Sequence, residues 1–399
     1  MKILLVNKYW YIRGGAERVL FDTKELLENA GHEVFIFGMH HPKNTIDEKQ
    51  FSAYIDYASL GFFGKISAGW KSIYNKEAKK KFAAYIEQVQ PDVVHVHNIY
   101  HQLSFSLLDV VKEKCIPSVM TLHDYKMISP NYRLFHHGAI EKQMIGKKYY
   151  RCLLGNCMES LGQSFFAMIE AYVRVWKKWH QVIDAYIAPS QFMKDISVTG
   201  GLSEENINVI PNAVDIGELA TKEKKYVAYV GRLSKEKGIH VLLAAAKETP
   251  DISYIIVGTG PEEKKIKAYI QKEQLENVSL VGWQTGKQLE QYIDKASLLV
   301  VPSIWYENCP LSILEAHAKG KIVIGADIGG ISELVSKELL CEAGDSHALA
   351  EKVKLWYSRS SKEKQIMQNS IYKETKKKYN KENYLHALEV VYKRVCIKK

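Results

Sequence analysis

Two glutamates near residue 310 have a spacing that would let them bind different parts of one polar ligand. Glu307 precedes a predicted helix, and Glu315 lies eight residues further along, inside that helix. Pro310 fits the first turn of the helix, where its missing N–H costs no hydrogen bond. Glu307 would then stand beside the free backbone N–H groups of a helix start, which favour anions and hydroxyl-rich ligands. In such a site one carboxylate can bind a sugar while the other binds a ribose.

A pair of cations precedes these glutamates in the chain. Arg232 and Lys237 are five residues apart, with a predicted turn between them. Arginine offers a planar fork of donors and lysine a point charge, a combination that suits two neighbouring phosphates. Lys235, which lies between the two, is interpreted as a solvated surface charge.

Two adjacent glycines, Gly14 and Gly15, follow the first predicted strand and open the first predicted helix. Such a pair lets backbone amides approach a phosphate closely, and the helix dipole adds to the attraction. The third glycine of the dinucleotide-binding fingerprint is absent, and Glu17 follows instead. An ordinary turn between strand and helix is therefore the alternative interpretation.

A histidine and an aspartate, His123 and Asp124, follow a predicted buried strand. A histidine at such a position is usually held by a backbone carbonyl, and Asp124 is expected to orient either His123 or a backbone turn. His95, His97 and His101 form a cluster in the sequence. No cysteine or carboxylate stands at a ligand spacing from them, so we expect no metal site and interpret them as neighbouring residues of a loop on the acceptor side of the site.

Strands and helices must position these residues, and the sequence alternates short apolar runs with amphipathic segments. This alternation predicts an α/β protein with doubly wound parallel sheets. A helix over residues 15–29 is predicted after the first strand. Two series of strands are predicted, at residues 3–7, 33–37, 92–96, 118–121 and 185–188, and at residues 226–230, 253–257, 278–281, 298–301 and 322–324.

The two series of strands predict two domains, in agreement with a length of 399 residues. We place the domains at residues 1–205 and 206–380, with a hinge within residues 200–215, and predict a basic helix over residues 381–399. Ligands of open α/β sheets bind at the carboxyl ends of the strands. Two facing domains would bring together at one cleft the residues that follow strands, namely Gly14, Gly15, His123, Arg232 and Glu307.

Composition and charge restrict the partners of the protein. No apolar run approaches the roughly 20 residues needed to span a bilayer, and the N-terminus enters a strand without a signal peptide, so we expect a cytoplasmic protein. The six cysteines are scattered, which predicts reduced thiols. A net charge of +10 favours anionic partners. No nucleic-acid recognition motif is visible, so we expect a nucleotide diphosphate and an anionic membrane surface as partners.

Short motifs in both halves of the chain occur in the order and spacing of a known enzyme family. The N-terminal half has matching motifs at residues 13–17 (Arg-Gly-Gly-Ala-Glu), 91–97, 121–124 (Thr-Leu-His-Asp) and 209–215. The C-terminal half has them at residues 229–238, 257–262, 281–283, 307–315 and 325–335. From residue 1 to about residue 340, the sequence resembles the family 4 retaining glycosyltransferases, which are nucleotide-sugar enzymes of the GT-B fold.

The resemblance implies a fold and a division of roles. GT-B enzymes have two Rossmann-like doubly wound domains facing across a cleft, the first on the acceptor side and the second binding the nucleotide sugar. Their last helix crosses back to the N-terminal domain. Arg232 and Lys237 would neutralise the donor diphosphate without a metal ion, and no cofactor is implied beyond the nucleotide sugar as donor substrate. Glu307 would bind donor-sugar hydroxyls, and His123 would contact the transferred sugar.

Further substrate-binding residues are implied in the same way. Gly14 and Gly15 would lie against the diphosphate or the reacting sugar. Trp283 would contact the nucleobase, uracil or guanine, by its backbone or its ring. The remaining implied substrate-binding residues are Asp124, Asn308, Cys309, Pro310, Leu311 and Glu315.

One segment departs from the common pattern of the family. Residues 126–160 resemble an insertion seen in a cell-surface-polysaccharide branch, where relatives often have a C-x-x-C pair. This chain has no cysteine at the corresponding residues 140–144. A four-cysteine metal or disulfide clamp is therefore not expected, and Cys152 and Cys157 are interpreted as remnants.

The resemblance implies a retaining glycosyltransferase that moves a hexosyl group from a UDP- or GDP-sugar to a glycan or lipid-linked glycan acceptor in surface polysaccharide synthesis. A nucleotide-sugar 2-epimerase of the same fold and a non-catalytic nucleotide-sugar-binding protein are the alternatives. Two aromatic and basic segments, residues 61–70 and residues 164–186, of which the second is predicted to be one helix, predict weak, salt-sensitive binding to the inner membrane face. Packing of those aromatic residues in the core is the other interpretation.

Overall fold

The computed structural model describes residues 1–220 and 225–397, which form two compact units. Unit 1 combines Met1–His136 and Glu141–Pro211 with the last helix from Tyr384 onward. Unit 2 combines His137–Ile140 with Asn212–Asn383.

The strands are short and rich in β-branched and other apolar residues, as expected where both faces of a parallel sheet are buried. In chain order they are β1 (Lys2–Val6), β2 (Glu33–Phe37), β3 (Val93–Val96), β4 (Ser118–Thr121), β5 (Phe135–His136), β6 (Ala139–Ile140), β7 (Ala185–Ala188), β8 (Ile207–Val209), β9 (Val227–Val230), β10 (Tyr254–Val257), β11 (Val278–Gly282), β12 (Leu298–Val301), β13 (Val323–Ala326) and β14 (Leu340–Cys341).

The helices alternate with the strands, and several begin at a side chain that caps the first turn. Asn75 and Ser190 accept hydrogen bonds from the backbone N–H three residues later, and Ser360 and Glu363 form a capping box. The helices are α1 (Gly15–Asn29), α2 (Phe62–Ile73), α3 (Lys76–Val89), α4 (Leu107–Glu113), α5 (Tyr150–Leu154), α6 (Leu161–Trp176), α7 (Gln191–Thr199), α8 (Ile239–Lys247), α9 (Glu263–Lys272), α10 (Gly286–Lys295), α11 (Leu311–His317), α12 (Ile331–Leu334), α13 (Ser346–Ser358), α14 (Ser361–Lys378) and α15 (Lys381–Ile397).

Each unit is built on a six-stranded parallel sheet. The order is β2-β1-β3-β4-β7-β8 in unit 1 and β11-β10-β9-β12-β13-β14 in unit 2. In unit 1 the chain leaves β1 for β2 on one side and later adds β3 on the other. In unit 2 it leaves β9 for β10 and later adds β12 on the other side. The crevices between β1 and β3 and between β9 and β12 are therefore the topological switch points, where open α/β sheets bind ligands.

This topology confirms the predicted α/β class with two Rossmann-like doubly wound units. The last helix, α15, packs on unit 1 as predicted. The Tyr392 hydroxyl hydrogen-bonds His95 Nδ1 at 2.7 Å, and the Tyr384 hydroxyl hydrogen-bonds the Thr23 hydroxyl at 2.8 Å. Residues 398 and 399 of the predicted helix lie outside the described residues.

Local structure differs from the prediction in one long segment. A single helix was predicted over residues 164–186, but α6 ends at Trp176. Lys178 then takes a left-handed backbone conformation with φ of 54°, which ends the helix, and Trp179 is fully buried in a short 3-10 turn. The aromatic periodicity continues through this break, which is why the sequence pattern did not show it.

The predicted insertion at residues 126–160 contains a covalent link. Cys152 and Cys157 form a disulfide, so the prediction of reduced thiols is wrong for this pair. Both cysteines are buried and pack with Met144 and Ala167 in a small apolar cluster. The other four cysteines are free.

Candidate functional site

The predicted cations and one predicted glutamate of unit 2 meet at its topological switch point. Arg232 and Lys237 follow β9, and Glu307 follows β12. These two strands are neighbours in the sheet. The loops that leave their carboxyl ends therefore border the crevice in which a doubly wound sheet binds its ligand.

Lys237 and Glu307 form a direct ion pair. The Lys237 ammonium donates to Glu307 Oε1 at 2.6 Å, and the Ser303 hydroxyl donates to the same oxygen at 2.7 Å. Glu307 is only 6% exposed, whereas the Lys237 side chain is 27% exposed. Burial alone would raise the pKa of Glu307, but the charge and hydrogen bond of Lys237 outweigh it and the pKa is lowered. Glu307 is therefore a carboxylate at neutral pH, held at the edge of a cationic loop.

Glycines allow the loops of this site to approach one another. Gly238 has φ of 67° and lies against Pro302, so that a Cβ there would collide with the Pro302 carbonyl oxygen. A Cβ at Gly330 would collide in the same way with the carbonyl oxygen of Asn308, and the Gly330 N–H donates to Glu307 O at 2.7 Å. The glycines of the predicted motifs therefore fix the backbone on both sides of Glu307.

Arg232 differs from Lys237 because it has no ion-pair partner within the described part of the chain. The side chain is exposed, and its guanidinium makes no hydrogen bond or ion pair with any described residue. Its position is fixed through the backbone, where the Tyr229 hydroxyl donates to Arg232 O at 3.0 Å. A guanidinium presented to solvent beside an ammonium can bind an anion with more than one oxygen.

The other predicted residues of unit 2 differ in their position and burial. Pro310 caps α11 rather than lying in its first turn, and Leu311 begins the helix. Glu315 lies on α11 and is half-buried. Cys309 is buried against Val214, Leu314 and Ala318, and burial raises the pKa of its thiol to about 12.

Two predicted residues lie in loops. Asn308 is half-buried directly after Glu307, between that residue and the cap of α11. Trp283 follows β11 at the edge of the sheet and is 61% exposed. Neither position assigns a ligand by itself.

In unit 1 the carboxylate of Glu17 lies close to the predicted glycine loop. Gly14 caps α1 with an extended backbone, and Gly15 is the first helical residue. Burial raises the pKa of Glu17, and the charge of Lys8 and the nearby backbone N–H groups of Glu17 and Gly14 act against this rise. The Glu17 carboxylate thus lies over the loop, which makes the loop a poorer site for a second anion.

The predicted His123 is half-buried and stacks on His97, which with His95 is buried. His97 Nδ1 and His123 Nε2 are 2.7 Å apart, and the ring centroids of His95 and His97 are 4.3 Å apart. Burial lowers the pKa of His123 to about 4 and that of His95 to about 3. These imidazoles are therefore neutral at pH 7. His101 is half-buried, and desolvation lowers its pKa as well.

Asp124 orients a backbone turn, one of the two alternatives that the sequence left open. Its Oδ1 accepts the Lys126 N–H at 3.0 Å, and its Oδ2 accepts the Tyr100 hydroxyl. Burial raises the pKa of Asp124 to about 6. Sequence reasoning missed Tyr100 in this contact and Ser303 beside Glu307, because a lone hydroxyl near a strand end has no distinctive pattern.

Within residues 1–220 and 225–397, no group of three or more His, Cys, Asp and Glu side chains is placed to hold a metal ion.

Two parallel-sheet Rossmann-like units have the architecture of the GT-B fold. A family model described as "Glycosyltransferase Family 4" matches residues 13–218, and one described as "Glycosyl transferases group 1" matches residues 215–374. The first match alone covers more than half of the chain. The chain belongs to glycosyltransferase family 4.

Individual relatives are distant. An uncharacterised 42.6 kDa protein of the cps region of Klebsiella pneumoniae is 26% identical over 353 residues, covering 84% of this chain and 87% of that protein. The amylovoran biosynthesis glycosyltransferase AmsK of Erwinia amylovora is 28% identical, covering 46% of this chain and 47% of that one. The structure of Anabaena HepE in complex with UDP-glucose matches with a TM-score of 0.68 at 18% identity, covering 100% and 99% of the two chains. At that identity the structural match supports the fold alone.

Proposed function

We propose that the protein is a retaining glycosyltransferase that transfers a hexosyl group from a nucleotide diphosphate sugar to a glycan or lipid-linked glycan acceptor in surface polysaccharide synthesis. The proposal rests on one observation above all. An exposed Arg232 and an ion pair of Lys237 with a buried Glu307 border the switch point of unit 2. The names of similar proteins support the same reading, since one is an amylovoran biosynthesis enzyme and another binds UDP-glucose.

The residues suggest how the transfer proceeds. The bond between the anomeric carbon and the diphosphate oxygen breaks, and the electron pair leaves with the diphosphate. Arg232 and Lys237 stabilise that departing charge, which is where electrostatic catalysis contributes most. The acceptor hydroxyl attacks from the face that the diphosphate leaves and gives its proton to a departing phosphate oxygen. Glu307, fixed by Lys237 and Ser303, binds the hydroxyls of the transferred sugar.

We also propose that this chemistry needs no metal ion. Two side-chain cations at the leaving group can supply the charge that Mg²⁺ supplies elsewhere. Release of nucleotide diphosphate in EDTA should match release in Mg²⁺. A strict requirement for Mg²⁺ in the chemical step would contradict the role given to Arg232 and Lys237.

The central experiment identifies donor and stereochemistry together. UDP- and GDP-sugars are first screened by thermal shift, because a ligand that binds the native state raises its melting temperature. The donor that stabilises the protein is then incubated with it, and nucleotide diphosphate release and product anomers are followed by NMR. Retention of configuration supports the proposal. Inversion contradicts it, binding without turnover indicates a binding protein, and recovery of an epimerised nucleotide sugar indicates an epimerase.

Unit 1 presents an apolar and basic surface that we propose as a membrane contact. Helices α2 and α6 pack together, with the Trp70 and Phe166 ring centroids 5.5 Å apart. Gly69 permits this approach, because a Cβ there would collide with the Phe166 ring. Large side chains on both helices remain exposed, Phe63 and Trp176 at 84% and 77%. The exposed set is Phe62, Phe63, Ile66, Trp70, Leu161, Phe165, Tyr172 and Trp176.

Basic residues border this surface, with Lys65 and Lys71 on α2 and Lys178 just after α6, all exposed. Aromatic residues with flanking lysines favour the interface of an anionic bilayer. None of the helices in the described ranges is long and apolar enough to cross a bilayer. We therefore propose peripheral, salt-sensitive association with the inner membrane face, which would bring the enzyme to a lipid-linked acceptor.

Vesicle sedimentation tests this association. Wild-type protein should sediment with vesicles containing phosphatidylglycerol at low salt, and less at high salt or with pure phosphatidylcholine. The double variant Phe62→Ser and Phe63→Ser should lose binding, whereas Leu355→Ser, an exposed leucine of unit 2, should not. Binding that is equal for wild type and the double variant would contradict the assignment of the surface.

A further inference from the structure

The switch point of unit 1 holds a second group of charged residues, which the proposed chemistry does not use. Lys8 follows β1, and Asn98 follows β3, the neighbouring strand. The two loops are joined tightly. The Lys8 N–H donates to Asn98 O at 2.9 Å, and the Asn98 N–H donates to Asn7 Oδ1 at 2.9 Å. The Lys8 side chain thus originates where a doubly wound sheet binds ligands.

Lys8 is buried but has no partner for its donors. The residue is 9% exposed, and its ammonium lies 3.8 Å from the centroid of the Tyr100 ring. No described residue offers it a hydrogen-bond acceptor or a carboxylate within ion-pair distance. Desolvating an ammonium costs free energy unless water or a ligand accepts hydrogen bonds from its N–H groups. The ring compensates only in part, as a cation–π contact.

Carboxylates stand further out around this ammonium. Glu17 and Asp124 both act on the charge of Lys8, and burial lowers the pKa of Lys8 to about 8. Arg13 and Lys126 also face it and repel it. Lys126 is itself occupied, because its ammonium pairs with Glu170 and donates to Pro130 O at 3.2 Å.

The arrangement selects a ligand chemistry. A phosphate at the Lys8 ammonium would face two carboxylates, Glu17 and Asp124, and would be repelled. A sugar hydroxyl both donates and accepts, so it can accept from Lys8 and donate to a carboxylate in the same place. The Tyr100 ring beneath the ammonium adds an apolar face of the kind that ligand pockets combine with a few polar groups.

We propose that Lys8, Glu17 and Asp124 form a subsite for a neutral sugar of the acceptor, in which the Lys8 ammonium donates a hydrogen bond to a ring hydroxyl. This inference rests on the proposed transfer function and adds the residues that recognise the acceptor. Lys8 is then a specificity-determining residue, and Tyr100 positions both Lys8 and Asp124.

The test uses p-nitrophenyl glycosides of glucose, galactose, mannose and N-acetylglucosamine as probes, with binding measured by saturation-transfer NMR. Wild-type protein should bind at least one of them. Lys8→Met, which keeps the apolar stem and loses the ammonium, should weaken that binding by about tenfold, the loss expected for one charged hydrogen bond. Lys8→Arg, which retains a cation, should recover most of it. Lys24→Met, a surface lysine of α1 in the same unit, is the matched control and should bind as wild type does.

Each outcome decides the matter. Equal binding by wild type and Lys8→Met would overturn the subsite, and so would failure of the wild type to bind any of the glycosides. If Lys8 were only structural, Lys8→Met would melt at a lower temperature, whereas we expect an equal or higher one because an unpaired buried charge is removed. Release of nucleotide diphosphate by wild type is measured separately without a glycoside. Its absence would contradict the proposed function while leaving the binding result to stand.

Discussion

Removal of Lys237 should destabilise unit 2 and abolish most activity at once. In the wild type, Lys237 and Ser303 both donate to Oε1 of the buried Glu307. The change Lys237→Ala removes the first of these donors and leaves the Ser303 hydroxyl. Breaking a fully buried ion pair costs about 3–5 kcal/mol, and because the Lys237 side chain is 27% exposed we expect about 2 kcal/mol at pH 7. For a unit of this size, that corresponds to a fall of about 4–8 °C in melting temperature.

The pH dependence of this loss distinguishes the ion pair from a packing effect. In the wild type the pKa of Glu307 is below its unfolded value of 4.5, so its contribution is present above pH 4.5 and is lost as pH falls through the folded pKa. Without Lys237, burial acts on the pKa of Glu307 with less opposition, so the pKa rises and ionisation favours folding less. The difference in melting temperature between variant and wild type should therefore be large at pH 7.5 and smaller at pH 5.

Calorimetry at the two pH values and donor turnover measure the two effects. The value of kcat/KM should fall by about two orders of magnitude or more, because a cation at the leaving group is lost. Lys235→Ala is the matched control, since Lys235 is an exposed lysine in the same turn and has no contact with Glu307. An equal change in melting temperature at both pH values, or wild-type turnover in Lys237→Ala, would refute the reasoning.

Three further predictions concern separate residues. Arg232→Ala should lower kcat/KM by about two orders of magnitude, because a cation at the leaving group is lost. The melting temperature should not change, because the guanidinium is exposed and makes no contact that folding depends on. An unchanged kcat/KM would exclude Arg232 from the leaving-group site. Glu315→Ala should raise the KM for the donor more than it lowers kcat, and an unchanged donor KM would argue against a ribose contact. Burial lowers the pKa of His95 to about 3 and those of His123 and His317 to about 4. Between pH 6.5 and pH 4 the unfolded chain therefore binds more protons than the folded protein. The free energy of unfolding, measured in urea by circular dichroism, should fall from pH 6.5 towards pH 4. A constant value over that range would mean that these rings are solvated.

The fold could be predicted from the sequence because a buried parallel strand has a distinct composition. Segments such as Leu298–Val301 and Ser118–Thr121 are found at the predicted residues, and α1 has its predicted ends. The edge strand β8 was missed, since Ile207–Val209 has three residues with a polar one in the middle and falls in the predicted hinge. Short edge strands are defined by their neighbours more than by their own sequence.

The candidate site was predictable in its residue types but not in its contacts. The spacing of Arg232, Lys237 and Glu307 indicated charges near strand ends, and the structure places two of them in contact. The sequence predicts Glu307 beside a helix start at a cleft and does not indicate that the side chain is buried. The structure buries it, so a stability loss is expected. The burial of Glu307 depends on Ser303, four residues away in the same loop, and on Gly330, 23 residues away in a different loop.

The lysines at the two switch points differ in whether a carboxylate pairs with them. This difference predicts how a substitution of each lysine affects stability and ligand binding. In unit 2 the charge of Lys237 is matched by Glu307, so the site is held in place before a ligand arrives and its loss harms folding. In unit 1 the largely buried Lys8 ammonium has no acceptor among the described residues, so its desolvation opposes folding. Neutralising Lys8 should therefore leave stability unharmed and weaken ligand binding, whereas neutralising Lys237 should harm both. Two methionine variants can be compared by melting temperature alone. We expect a lower melting temperature for Lys237→Met and no decrease for Lys8→Met.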